Sequence, residues 1–340
     1  MCRLITEIIN MNKVFFYPPA PKGGYTNPYI VNYKNAIKKD FNVLNMDNQV
    51  SPMLSLTFLL YSLKADIYII NWLESVCFLK LGILQFLLAR LGLRIIKLRK
   101  KKIIWMFHNI HPHQGRSKLS SKIQKILFKQ SELIITHSSE ATMYAREKTG
   151  KKVLYKCHPV KEISVTSQYE NKRINCDVFI WGTILPYKGV YEFISLEEIQ
   201  QSKLKIIIVG ECANKELAEK INSQCNDNIH FENRRASFDE LAQYIQNSRY
   251  TLFPYIGDCV SSSGALIDTI VFGGTPVGPD VGAFKDLKKE DICLVYRDYT
   301  ELVNIIHSSC TISETQRSLF IKANSWKAFS EFLKVNLSIN

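Results

Sequence analysis

The sequence predicts an α/β protein of two domains, each built around a parallel sheet covered by helices. Three observations predict it. At 340 residues the chain exceeds the usual size of one domain, and an apolar fraction of 46% suffices for two ordinary cores. Short strands with continuous apolar centres, residues 66–72 foremost, alternate with segments of helical periodicity, the pattern of strands buried on both faces. Charge also divides the chain. Residues 1–175 hold 28 Lys and Arg against 10 Asp and Glu, a net +18, whereas residues 176–340 hold 16 against 21, a net −5.

Several classes are disfavoured by composition. Nine cysteines are dispersed with no Cys-x-x-Cys pair, which argues against a zinc or redox motif and fits a reducing cytoplasm. The N-terminus lacks a charged-then-apolar leader with a small-residue cleavage site, so secretion is not expected. A basic half suits nucleic acid, an anionic leaflet or phosphorylated substrates, but no nucleic-acid motif accompanies it.

Residues 13–17 form the first strand, and the ten residues before Met11 read as a loose extension or an upstream start. Prolines and glycines from Pro18 through Gly23-Gly24 end the strand, and residues 29–39 have helical spacing. Residues 41–44 predict a strand, 53–64 a helix, and 66–72 a buried strand ending in Asn71-Trp72. Residues 76–98 are the most apolar segment and close on Arg99-Lys100-Lys101-Lys102. Lys80, Gln85, Arg90, Arg94 and Lys97 interrupt the roughly 20 apolar residues of a bilayer span. The segment is therefore a helix packed on the first sheet or one lying in a membrane interface. The next strand, 103–107, delivers His108-Asn109-Ile110-His111-Pro112-His113 to its C-terminal end. Three imidazoles at a strand end suit a site, while the absence of an acidic or Cys partner at helical spacing disfavours a metal. A basic helix over 120–128, a strand over 133–136 and the capped turn His137-Ser138-Ser139-Glu140 follow. Lys156-Cys157-His158-Pro159 closes this domain, and the polar, aperiodic residues 161–175 are a linker.

The second domain opens with a strand ending at Gly182, then Thr183, then Lys188-Gly189 ahead of a helix from Val190. Residues 205–209 predict a strand ending at Gly210-Glu211, residues 228–232 an edge strand and 238–246 a helix; Arg234 and Arg235 read as surface charges. In residues 250–278 a short strand runs into a small-residue loop where Ser261, Ser262 and Ser263 are N-cap candidates. Gly264 lets backbone approach a ligand, a helix covers 265–272, and Gly273-Gly274 with Pro276 stop it. A helix start gathers unpaired N–H groups and the positive end of the dipole, so this stretch is either a diphosphate cradle or an ordinary capped helix. An amphipathic helix over 325–333 ends the chain.

The order of these pieces, from about residue 13 to 335, resembles GT-B glycosyltransferases, and family 4 in particular. The resemblance rests on Gly23-Gly24, Asn71-Trp72, His108-Asn109 with Pro112-His113, Tyr187-Lys188-Gly189, Ser263-Gly264, Gly274-Thr275-Pro276-Val277 and the terminal Trp326 helix. It implies two Rossmann-like domains facing across a cleft. Residues 1–165 are then an acceptor-binding domain, 176–324 a nucleotide-sugar-binding domain, and 325–340 a helix crossing back to the first. It further implies a catalytic His108, acceptor contacts at Gly23, Gly24, Asn109 and His113, and donor contacts at Lys188, Gly182, Thr183, Gly210, Ser261, Ser262, Ser263, Gly264 and Thr269. The implied activity moves a hexosyl group from a nucleoside-diphosphate sugar to a glycan or lipid-linked acceptor in surface polysaccharide biosynthesis, such as a capsule. The nucleotide sugar is a co-substrate and no cofactor is implied; no Asp-x-Asp triplet suggests metal assistance.

The chain departs from the family pattern at three places. Thr183 stands where the family usually has an Arg, Asn71 precedes Trp72 where His is common, and the usual pair of glutamates eight residues apart falls on Ser261 and Thr269. The missing acids favour a rival reading, a non-catalytic basic two-domain protein recruited to a membrane or polyanion. The basic half predicts a cytoplasmic protein held peripherally on the inner face of the plasma membrane, or else is a solvated face that keeps the protein soluble.

Overall fold

The structure, a computed structural model, describes residues 11–19, 27–46, 53–110, 117–160, 176–257 and 263–337. The chain divides into two compact units, Met1–Cys157 with Trp326–Asn340, and His158–Ser325.

In the first unit β1 (Lys13–Tyr17), α1 (Pro28–Ile37), β2 (Asn42–Val43), α2 (Leu54–Tyr61) and β3 (Ile67–Asn71) lead to a 3-10 helix, Leu73–Phe78, and α3 (Gly82–Leu98). β4 (Lys102–Phe107), α4 (Lys118–Gln130), β5 (Leu133–Thr136), α5 (Ser139–Lys148) and β6 (Lys152–Tyr155) follow. All strands are parallel, in the order β2-β1-β3-β4-β5-β6. Strand residues alternate between two buried faces. Phe15, Tyr68, Ile70 and Trp105 pack beneath Phe58 of α2 and Phe86, Ala89, Leu93 and Ile96 of α3. Val14, Phe16, Ile69 and Met106 pack on the other side against Tyr29 and Tyr33 of α1. Burying each such large side chain contributes about 1.5–3 kcal/mol, which explains why these strands read as unbroken apolar runs.

The second unit repeats the logic with β7 (Cys176–Trp181), a 3-10 turn at Pro186–Lys188, α6 (Val190–Ile194), α7 (Glu197–Gln200), β8 (Ile206–Val209), α8 (Lys215–Ser223) and β9 (Ile229–Glu232). Next come α9 (Phe238–Gln246), β10 (Ser248–Leu252), α10 (Gly264–Val271), β11 (Pro276–Pro279), α11 (Gly282–Lys289), β12 (Leu294–Tyr296), α12 (Tyr299–His307) and α13 (Glu314–Ala323). Its parallel order is β12-β11-β10-β7-β8-β9. Ser237 and Glu240 close a capping box at the start of α9, and Asp298 caps α12. The last helix, α14 (Trp326–Leu337), belongs to the first unit, where Phe329, Leu333 and Leu337 join the face lined by Tyr33.

One element differs from expectation. The apolar segment 76–98 is not one helix, because Leu81 takes a left-handed conformation with φ 59°. Gly82 then lies so close to the Cys77 carbonyl that a side chain there would collide with it. The bend turns α3 back across the sheet, where its inner positions are buried.

Each sheet has one point where strand order reverses, between β1 and β3 in the first and between β7 and β10 in the second. Loops leaving the C-terminal ends of strands at such a point form the usual ligand crevice of open α/β sheets. Asn71 and Trp72 leave β3 there, and Gly182 leaves β7.

Candidate functional site

In the second unit the two reversal-point loops are fastened together. Beyond β7, Gly182 is left-handed at φ 98° and the 3-10 turn ends at Gly189 with φ 63°, both conformations that suit glycine. The Ile256 N–H, on the loop after β10, donates to the Tyr187 carbonyl at 2.8 Å. A side chain on Gly189 would strike the Pro254 carbonyl, so glycine is what lets the turn dock there.

That docking buries Lys188, which is 9% exposed. Its ammonium lies 5.4 Å from the centre of the Tyr255 ring, and a methyl group on Gly182 would stand 3.3 Å from Nζ. No described carboxylate pairs with it, and burial pushes its pKa down while Tyr187 partly offsets the shift. Burial pushes the Tyr255 hydroxyl up to about 12, against a hydrogen bond from Ser263. Ser263 in turn caps α10 by accepting the Leu266 N–H at 3.3 Å. No described residue lies within 4 Å of where a Cβ on Gly264 would stand, so packing among the described residues does not require glycine at the first helical position. Gly264 itself places no side chain over the positive end of α10. A buried cation with no counter-charge among the described residues, beside a helix start, is an arrangement that an anion completes.

The first unit gathers aromatic and imidazole groups instead. His108, at the end of β4 and 3% exposed, has Nε2 at 2.8 Å from Asn71 Oδ1. Asn71 Nδ2 donates to the Tyr17 carbonyl at 2.9 Å, which leaves Oδ1 to accept the His108 Nε2–H. Trp72 stacks on the imidazole with ring centres 4.2 Å apart, and Tyr29 meets it edge-on at 5.2 Å. His137, at the end of β5, donates from Nδ1 to the Lys156 carbonyl at 2.7 Å and accepts from the Tyr29 hydroxyl at 3.0 Å. Beside this group Glu74 is 3% exposed, in the first turn after β3. Its Oε2 has no hydrogen-bond partner among the described residues, and burial pushes its carboxyl up to about 7.

No protein-family model matches the sequence, and no curated protein does. Solved structures do match. Anabaena Alr3699/HepE, solved with UDP and glucose, superposes with a TM-score of 0.66 at 14% identity over 96% of this chain and 98% of that one. Sucrose-phosphate synthase from Thermosynechococcus elongatus gives 0.66 at 11% identity over 95% and 97%. The lipopolysaccharide outer core galactosyltransferase WaaB, in its apo form, gives 0.64 at 12% over 96% and 99%. The chain has the GT-B fold.

Within the GT-B fold the second unit brings together four of the residues expected to meet a donor: Gly182, Lys188, Ser263 and Gly264. Thr183 is exposed on the loop after Gly182. Gly210 is a packing position, since a side chain there would strike the Gly182 carbonyl. Thr269 is a core residue. It is fully buried, and its hydroxyl accepts the Trp181 indole N–H at 3.1 Å. Asn109 follows His108 and is partly exposed. Gly23, Gly24, His113, Ser261 and Ser262 lie outside the described residues. Tyr29 and Glu74 are passed over by sequence reasoning, and His137 is read there only as part of a capped turn. Their only signal is position, each standing on the loop or first turn beside a strand end. Among the described residues no group of three His, Cys, Asp or Glu could hold a metal ion.

Proposed function

We propose that the chain is a glycosyltransferase that moves a sugar from a nucleoside-diphosphate donor to a hydroxyl of a glycan or lipid-linked acceptor. The observation that carries this reading is Lys188, a buried cation with no described carboxylate partner, set beside the start of α10 at the strand-order reversal of the second sheet. In the reaction the bond from the sugar C1 to the β-phosphate oxygen breaks, and a bond from C1 to the acceptor oxygen forms as the acceptor hydroxyl loses its proton. Negative charge builds on the departing diphosphate. Lys188 and the N–H groups at the start of α10 are already oriented where that charge would grow, so they stabilise it without reorganising. HepE has been solved with UDP-glucose, and WaaB is a galactosyltransferase, which supports a UDP-hexose donor and a role in surface polysaccharide assembly such as a capsule.

The acceptor side is assigned to the first unit. His108 is held with its Nε2–H on Asn71 and its face on Trp72, so its part is to set the position of the acceptor loop. Because the glutamates of the family pattern are replaced by Ser261 and the buried Thr269, donor-sugar contacts here come from other groups.

The test is titration of UDP, GDP and inorganic tripolyphosphate into the protein at low ionic strength, followed by sugar transfer with a nucleotide-sugar panel. The proposal expects one nucleoside diphosphate to be preferred over tripolyphosphate and transfer to follow. Equal binding of all three without transfer would support the rival, a non-catalytic polyanion-binding protein, which the missing acids favour.

A further inference from the structure

The outward face of α3 carries large apolar residues beside cations and no acid. Its inner positions, among them Phe86, Ala89, Leu93 and Ile96, are buried on the first sheet. Its outward positions Ile83, Leu84, Leu87, Leu91 and Leu98 are between 43% and 73% exposed. At 100° per residue these five and the exposed Arg90, Arg94 and Lys97 share an arc of roughly 140°. The helix contains no Asp or Glu. Leu60 and Leu63, at the end of the neighbouring α2, extend the apolar patch at 57% and 60% exposure.

On the other flank α4 packs against α3 and presents Lys118, Lys122, Lys125 and Lys129 to solvent. Behind it, between α4 and the turn from α5 into β6, is a cavity of about 910 Å³. Lys125, Lys129, Lys148 and Lys151 line it, with Ser121 and Tyr144, and no carboxylate does. Lys148 lies over the Tyr144 ring at 5.0 Å; none of the four lysines pairs with a described carboxylate.

We infer that this face docks on an anionic lipid bilayer, with the α3 leucines entering the boundary between headgroups and acyl chains and the lysine-lined cavity receiving a lipid phosphate. An apolar stripe bordered by cations alone is what such an interface attracts. A second copy of the chain fits less well, because a two-fold contact through this patch would set rims of the same sign against each other. No helix of the described residues is long and apolar enough to cross a membrane, so the contact is lateral. The inference deepens the lipid-linked acceptor reading, but it stands on different residues and is tested without nucleotide.

The test is co-sedimentation of the full chain with phosphatidylcholine vesicles and with mixed phosphatidylcholine and phosphatidylglycerol vesicles, each at low and high salt. Leu87→Ser with Leu91→Ser probes the apolar face, and Lys125→Gln with Lys129→Gln the cavity; all four side chains are exposed, and thermal melting confirms folding. Wild type is expected to bind the anionic vesicles at low salt and to be released by salt. The leucine variant is expected to lose about tenfold or more in binding, given the apolar area it withdraws from the interface. The lysine variant is expected to lose binding and salt sensitivity together. Failure of wild type to bind anionic vesicles, or undiminished binding by the leucine variant, overturns the inference. So does a wild-type dimer in sedimentation velocity that the leucine variant dissociates while vesicle binding is absent, which would assign the face to a second copy. UDP titration of the same variants separates the two proposals, since the donor site shares none of these residues.

Discussion

At the strand ends of the first unit, His108 and His137 find partners within the chain; at those of the second, Lys188 beside the start of α10 finds no described carboxylate. His108 donates to Asn71, and His137 bridges Tyr29 and the Lys156 carbonyl. Such a network defines a rigid surface and costs little to keep, because each buried polar group is satisfied. The second unit holds a desolvated cation without a described counter-charge, which is costly until an anion arrives. The difference teaches where binding energy and where shape are stored. The second unit carries a buried cation that no described carboxylate meets, and the first carries a hydrogen-bonded framework.

Glu74 is a buried carboxyl of the first unit whose Oε2 has no hydrogen-bond partner among the described residues, and it gives the largest expected effect. Its carboxyl titrates near 7 in the folded chain because burial penalises the anion, against an ordinary value near 4.5. The folded state therefore holds the proton more tightly than the unfolded state, and stability falls as pH rises from about 4.5 to 7 and then levels off. A shift of that size corresponds to at most about 3 kcal/mol. Urea unfolding at pH 5 and pH 8 should show wild type losing more stability than Glu74→Gln over this interval. Equal losses would mean that Glu74 is charged and partnered after all, and the comparison between the units would sharpen.

Lys188→Met probes the opposite end. On the proposed function it removes a charge-assisted contact to the diphosphate worth roughly 1.5–3 kcal/mol, about ten- to hundredfold in UDP affinity. Because it also removes a desolvated cation, the ligand-free protein should melt at the same temperature or higher. Calorimetric titration together with a melting curve checks both halves. A variant that binds UDP normally would take Lys188 out of the site, and one that unfolds early would make the lysine structural.

Tyr29→Phe acts on the satisfied network. It leaves His137 Nε2 without its described donor while keeping the ring contacts to Trp72 and Trp326. The expected cost is about 1 kcal/mol of stability, with UDP affinity unchanged, since Tyr29 belongs to the other unit. A fall in UDP affinity would break the division of labour drawn above.

The sheets were legible because their strands are buried on both faces and so are written as continuous apolar runs. Lys188, Ser263 and Gly264 were legible because helix starts and Lys-Gly turns keep a fixed local order. What was not legible depends on contacts between distant residues. Tyr29 reaches His137 across 108 positions, and Thr269 became core only because the Trp181 indole reaches it from β7. The break before α3 was hidden for a different reason. Leu81 takes a left-handed conformation that its residue type disfavours, and only the approach of Gly82 to the Cys77 carbonyl accounts for it.

The smallest expected effect comes from Gly264→Ala, and it separates a glycine kept for a ligand from one kept for packing. A Cβ at this position meets no described residue within 4 Å, whereas at Gly210 it would meet the Gly182 carbonyl. Gly264 is not among the glycines with positive φ, so alanine adopts its conformation without strain. Restricting the unfolded chain should then leave stability unchanged or raise it by about 0.4–1 kcal/mol. In the same protein a methyl group at the first position of α10 stands where a phosphate would approach the helix start, so UDP affinity should fall. The two readouts move in opposite directions, a result that general destabilisation cannot imitate. If stability rises and affinity holds, the phosphate does not reach this end of α10, and the cradle shrinks to Lys188 and its neighbours on the β7 loop.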